Sequence, residues 1–284
     1  MKSGNVVLVG RPNAGKSTLI NSLVNRKISI VTDKPQTTRK TIQGYWWDKE
    51  NQIVFWDTPG VLKKAKGLVT AKVNLLPQLS LNNADVVLYL IDINRSKGDE
   101  ENHTLGMVRK IDKPKILVFN KIDSKRAKYY HEYEFLKEEF ADFLEISALK
   151  RTNLNLLLEK IIKHLPEGKP IFDPEKVAAF PANLTPKEFI AEIIREKAFK
   201  VLRQELPYTL TVVVDELTEK KDIFYIKGQI ITTNKRYQKM IIGKKASTVK
   251  EIGTLARKEI ELITTQKVFL DLEVKSDPHW PEYL

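Results

Sequence analysis

With 284 residues the chain exceeds the roughly 250 at which single hydrophobic cores stop growing, so two domains are expected. Its 42% hydrophobic and 30% charged content is that of a globular protein, and its longest apolar run, Val86 to Ile91, falls well short of the roughly 20 residues of a membrane helix. The absence of cysteine excludes disulfides, thiolate nucleophiles and Cys-ligated zinc, the scattered His103, His131, His164 and His279 offer no paired metal site on a helix face, and a net charge of +12 points to polyanionic partners.

The first apolar strand, Val6 to Val9, runs into Gly10-Arg11-Pro12-Asn13-Ala14-Gly15-Lys16-Ser17 and then a helical stretch from Thr18 to Val24. This is the P-loop pattern between the strand and the helix it requires. Glycines let successive backbone N–H groups curl around phosphates, the helix N-terminus adds the positive end of its dipole, and Lys16 adds a point charge. Ser17 is placed to offer its hydroxyl oxygen to magnesium. The loop Pro35-Gln36-Thr37-Thr38-Arg39 follows, and one of its threonines is expected to complete the magnesium coordination in the triphosphate state.

Ile42 to Trp47 and Gln52 to Trp56 are strands joined by Asp48-Lys49-Glu50-Asn51, a turn too short for a crossover helix, so one antiparallel edge strand is expected. The second of them ends in Asp57-Thr58-Pro59-Gly60, at the strand end where ligands bind in open α/β sheets. There Asp57 would hold magnesium through a water and Gly60 would bring its backbone N–H to the γ-phosphate. The basic stretch Val61 to Asn83, with Lys63, Lys64, Lys66 and Lys72, would then sense the nucleotide.

The strands Val86 to Ile91, Ile116 to Phe119 and Leu144 to Ile146 alternate with helical stretches, the rhythm of a mostly parallel sheet covered on both faces. Asn120-Lys121-Ile122-Asp123 closes one of them and selects the base. The Asp123 carboxylate can accept hydrogen bonds from guanine's ring N–H and amine, each contributing about 1.5 to 3 kcal/mol, whereas adenine lacks the matching donors. Lys121 would lie along the base and Asn120 would brace the loops. After the last strand, Ser147-Ala148-Leu149 would present the Ala148 N–H to the guanine oxygen.

Five prolines between Pro166 and Pro186 mark a linker over 166–186, separating a nucleotide-binding domain at 1–165 from a second domain at 187–284. The second domain reads helix, strand, strand, two helices around Ile242-Gly243, strand. Residues 235 to 258 hold eight Lys or Arg against the single acid Glu251. At the centre of this cluster lies Ile242-Gly243-Lys244-Lys245-Ala246, with Lys244, Lys245 and Lys250 as candidate phosphate contacts. Trp280, in the tail, would either stack on a base or pin the tail to its domain.

The five nucleotide segments, in this order, resemble the translation-factor-like GTPases, and the subset GRPNAGKS, PQTTR and DTPG resembles the Era family. The second half resembles a type II KH domain, whose GxxG loop clamps about four nucleotides of single-stranded RNA; here Ala246 takes the place of the last glycine. By the resemblance Thr38 is the metal ligand in preference to Thr37, and Asn13 helps hold a potassium ion against the phosphates. Lys16, Asn13, Thr38 and Gly60 then form the catalytic set. Val61 stands where many small GTPases place a water-orienting glutamine, so slow intrinsic turnover is expected.

The implied partners are GTP and GDP, single-stranded RNA at the 3′ end of the small-subunit ribosomal RNA, and the small ribosomal subunit during its assembly. A cytoplasmic monomer is expected, with peripheral membrane association left open. Two rivals remain: an RNA-binding module that holds GTP without turning it over, and a GTPase of tRNA modification, which would carry a different second domain.

Overall fold

The computed structural model describes residues 1–60, 68–124, 127–180 and 182–283, and these form two compact units, Met1–Asn183 and Leu184–Leu284. No helix among the described residues is long and apolar enough to cross a membrane.

The first unit is built on a six-stranded sheet of order β2-β3-β1-β4-β5-β6. Its strands are β1 (Lys2–Val9), β2 (Ile42–Trp47), β3 (Asn51–Asp57), β4 (Val86–Asp92), β5 (Lys115–Asn120) and β6 (Asp142–Ile146). All pair in parallel except β2, which runs antiparallel to β3 at the edge, as the short turn at Asp48 requires. That turn is fixed by the Asp48 carboxylate, which accepts the Glu50 and Asn51 N–H groups at 2.8 and 2.7 Å. Helices α1 (Lys16–Val24), α2 (Leu68–Leu81) and α3 (Asp99–Arg109) connect strands of this sheet, and α4 (Leu154–His164) follows β6. Every residue of β4 is buried, which is why this strand reads as an unbroken apolar run. The carboxyl ends of β1, β3, β4 and β5 deliver Gly10, Asp57, Asp92 and Asn120 to one edge of the sheet.

The proline-rich segment is no free linker over most of its length. Ser3 N–H donates to the Pro166 carbonyl at 3.1 Å, and the Gln52 side chain bonds the Ile171 N–H at 2.8 Å and the Phe172 carbonyl at 3.1 Å. The Phe172 ring lies 5.0 Å from Tyr45 and 5.9 Å from Trp47 between centroids. A short helix α5 (Pro174–Val177) follows, and then Ala182 bridges to Gly44 and the Asn183 side chain accepts the Gln43 N–H at 2.9 Å. Prolines keep this strap from forming a longer helix, but its carbonyls and aromatic ring still dock it against residues of β2 and β3.

The second unit opens with α6 (Pro186–Val201), entered through a capping box of Thr185 and Glu188 with Pro186 in the first turn. Then come β7 (Leu210–Lys220) and β8 (Ile223–Thr232), α7 (Lys235–Ile242) and α8 (Ser247–Thr264), and β9 (Lys267–Ser276). β7 and β8 form an antiparallel hairpin around Lys221 and Asp222, both at positive φ (47° and 64°), and β9 joins β8 in parallel. The core under this sheet includes Ile194, Phe199, Ile230, Ile252 and Ala256, all fully buried.

Candidate functional site

The P-loop leaves β1 between the ends of β3 and β4 and borders a cavity of about 550 Å³. Its walls include Asn13, Lys16, Ser17, Thr18, Thr38 and Gly60. Lys16 is buried, and its ammonium donates to the Gly10 and Arg11 carbonyls at 2.8 and 3.0 Å. Burial lowers its pKa to about 8, against the pull of Asp57 and Glu101. A cation parked on carbonyls at a helix N-terminus is ready to exchange them for phosphate oxygens.

Gly60 packs directly on the P-loop: a Cβ there would lie 2.4 Å from the Pro12 nitrogen, so no other residue fits this approach. The preceding Thr58 is buried, and its hydroxyl donates to the Leu8 carbonyl at 2.7 Å, tying the start of the Asp57–Gly60 turn to β1; Pro59 lies within that turn. Val61, Lys63, Lys64 and Lys66 lie outside the described residues.

The Ser17 and Thr38 hydroxyls stand 3.2 Å apart. Beside them Asp57 is fully buried, and neither of its carboxylate oxygens has a hydrogen-bond partner of normal geometry among the described residues. Burial pushes its carboxyl group up, against the nearby Ser17 hydroxyl, Lys16 and Ser29. Two hydroxyls and an orphaned carboxylate are a donor set that suits a hard divalent cation. Thr37 is turned elsewhere, its hydroxyl donating to the Lys34 carbonyl at 2.8 Å.

On the base side, Asn120 is a brace. Its amide donates to the Ala14 carbonyl at 2.9 Å, and its Oδ1 accepts the Lys121 and Ala148 N–H groups at 2.8 and 3.0 Å. Lys121, at φ 71°, reaches the Asn13 carbonyl at 2.8 Å and Asp92 at 2.7 Å. Asp123 is exposed, and its Oδ1 accepts the Ser147 hydroxyl at 2.5 Å. The Ala148 N–H, expected to meet the guanine oxygen, donates in this structure to Asn120, whose buried amide thereby satisfies both of its ends. Leu149 is 70% exposed.

In the second unit, Lys244 and Lys245 stand exposed between α7 and α8, with Lys250 exposed on α8 and Ile242 half-buried. Gly243 has φ 75°, and a Cβ there would lie 2.3 Å from the Thr248 hydroxyl. Lys245 and Ala246 also hold positive φ, 51° and 60°. Trp280 corrects one of the two readings of the tail. It is 3% exposed and its indole N–H donates to the Thr209 carbonyl at 3.1 Å, so it pins the tail and has no free face for a base.

A family model described as a 50S ribosome-binding GTPase matches residues 5–121, and one described as a KH domain matches residues 205–280. GTPase Era of Halothermothrix orenii is 39% identical over 99% of this chain and 95% of its own length. The chain belongs to the Era family of GTPases. A crystal structure of Era in complex with MgGDPNP and nucleotides 1506–1542 of 16S ribosomal RNA is 37% identical, with a TM-score of 0.90 over 99% of this chain and 95% of that one. A variant of Aquifex aeolicus Era bound to GDP and tetrafluoroaluminate is also 37% identical, with a TM-score of 0.89 over 99% and 96% of the two chains.

This Era-family chain is therefore a GTP-hydrolysing, RNA-binding protein in which a P-loop domain precedes a KH domain. The KH domain removes the ground for the tRNA-modification alternative, which called for a different second half. Sequence reasoning missed Asp92 and Arg95. Asp92 pairs with Lys121, and Arg95 donates to the Pro12 carbonyl at 2.8 Å. A carboxylate closing the buried strand β4, level with Asn120 on β5, was the available signal.

Proposed function

We propose that this chain cycles between GTP and GDP on magnesium and uses its KH domain to hold the single-stranded 3′ end of small-subunit ribosomal RNA during assembly of the small subunit. The observation that carries the nucleotide half is the pairing of the Ser17 and Thr38 hydroxyls at 3.2 Å beside the orphaned Asp57. The RNA half rests on the solved Era complex with 16S ribosomal RNA together with the exposed Lys244 and Lys245.

Ser17 and Thr38 would ligate magnesium directly, with Asp57 holding it through a water. When bound, the ion supplies positive charge to the β- and γ-phosphate oxygens. Lys16 leaves its two carbonyls for the phosphates, and the Gly60 N–H faces the γ-phosphate, so both stabilise charge that grows as water attacks in line. Asp123 selects guanine, and Asn120 keeps the base loop and the P-loop at a fixed separation. Potassium is the finer reading: the Asn13 side chain lies on the cavity wall, its Nδ2 donating to the Asp33 carbonyl at 2.6 Å, and its Oδ1 would be the oxygen offered to a monovalent ion.

Multiple-turnover phosphate release, with and without RNA, tests the reading. Thr38→Ala should slow turnover on the order of a hundredfold, the scale of removing one preorganised charge-stabilising group, while GDP binding persists and Thr37→Ala stays near wild type. Equal effects of the two substitutions would mean that the metal set is wrong. A wild type that never turns over in either condition would leave the non-hydrolysing RNA-binding module.

A further inference from the structure

Arg11 lies within the P-loop, yet its side chain points into the protein and is only 4% exposed. Its Nε lies 2.6 Å from a Glu101 carboxylate oxygen on α3, its Nη1 donates to the Ser96 carbonyl at 3.0 Å, and its Nη2 donates to the Tyr133 hydroxyl at 3.1 Å. Glu101 is 1% exposed, and its other oxygen accepts the Tyr89 hydroxyl at 2.5 Å. Tyr133 in turn donates to the Arg95 carbonyl at 2.7 Å, and Arg95 returns to the P-loop through the Pro12 carbonyl. The network begins and ends on the first three residues of the phosphate loop.

Stability alone does not account for this pair, because replacing a buried ion pair by apolar groups of similar volume is often neutral or stabilising. The loop itself supplies the reason. In this structure the Gly10 and Arg11 carbonyls are oriented by Lys16. Once Lys16 turns to the phosphates those carbonyls lose their donor, and something other than Lys16 must keep the loop curved. We infer that Arg11 and Glu101 are positioning residues that hold Gly10 to Pro12 at phosphate-binding curvature from behind, without touching the nucleotide. This rests on the nucleotide site proposed above and adds a specific support to it.

The test uses the full chain with magnesium. Three proteins are compared: wild type, Arg11→Lys, and the double variant Arg11→Met with Glu101→Leu, which removes both buried charges together. The double variant should melt within a few degrees of wild type without nucleotide, yet bind GDP at least tenfold more weakly, and the phosphorus resonance of the bound β-phosphate should move. Arg11→Lys, which keeps the charge but loses the fork, should recover only part of the affinity. Should the double variant fail to fold, Glu101→Gln is measured the same way, since it keeps the shape and an acceptor for Tyr89. Wild-type GDP affinity and an unmoved β-phosphate resonance in the folded variant would overturn the positioning role alone. A wild type that bound no guanine nucleotide would overturn the site as well.

Discussion

Lys16 sits in two electrostatic environments in turn, and the difference should be measurable as pH dependence. In the structure burial lowers its pKa from the usual 10.5 to about 8, so between those values the unfolded chain holds more protons than the folded one. The nucleotide-free protein should therefore gain stability from this group as pH rises from about 8 toward 10.5. Phosphate acts in the opposite direction. It favours the charged ammonium and raises the pKa in the complex, so binding takes up a proton above about pH 8, and affinity falls by up to about tenfold per pH unit there. Calorimetry of GDP binding at pH 9 in two buffers of different ionisation enthalpy should show proton uptake that is absent at pH 6.5. No uptake at pH 9 would mean that Lys16 does not meet the phosphates. The residue types of this site were legible from the P-loop and Asn120 to Asp123, because such motifs state what each position must donate or accept. What a side chain does away from the ligand was not legible. The pattern marks Arg11 only as a loop residue, and its inward turn is set by Glu101, ninety positions on in the sequence.

Between α7 and α8 the chain takes a turn that two of its residues adopt only under strain. Lys245 and Ala246 both lie in the left-handed region, where a side chain costs about 1 to 2 kcal/mol per residue. Ala246→Gly removes that strain at its position but gives the unfolded chain about 0.4 to 1 kcal/mol more freedom, so a net gain on the order of 0.5 kcal/mol is expected by urea denaturation. The same change should tighten single-stranded RNA if the methyl obstructs a phosphate. Stabilisation without tightening would place the methyl clear of the RNA. Lys244→Glu with Lys245→Glu should flatten the salt dependence of RNA binding by about 0.7 in slope for each phosphate that the loop no longer neutralises, with GTP affinity unchanged. An unchanged slope would remove this loop from the interface. The order of elements on either side was readable from hydrophobic period and proline. The docking of the proline-rich strap was not, because its anchors are backbone groups, one phenylalanine and the side chains of Asn183 and Gln52, none of which carries a periodic signal. Trp280 was ambiguous for a related reason, since only the Thr209 carbonyl decides which way the indole faces.

Along the chain as a whole, a short path of backbone and two hydrogen bonds joins the nucleotide site to the start of the second unit. Thr38, which stands against Ser17, is four residues from the beginning of β2. The next residue on that strand, Gln43, gives its N–H to the Asn183 side chain, and Asn183 N–H returns to the Gln43 carbonyl at 3.3 Å. Two residues later Thr185 caps α6, the first helix of the second unit. A loop that orders on the γ-phosphate and relaxes after hydrolysis would shift this edge strand and whatever it holds. RNA should then bind more tightly to the chain loaded with a non-hydrolysable GTP analogue than to the GDP form, and RNA should raise affinity for the analogue relative to GDP by the same factor, as linkage requires. Asn183→Ala should shrink that factor while leaving the affinity for nucleotide in the absence of RNA near wild type. Titrating RNA against both nucleotide forms of both proteins decides the matter: a factor that survives Asn183→Ala would move the coupling to another route, and identical dissociation constants in the wild type would leave the two units joined by a tether alone.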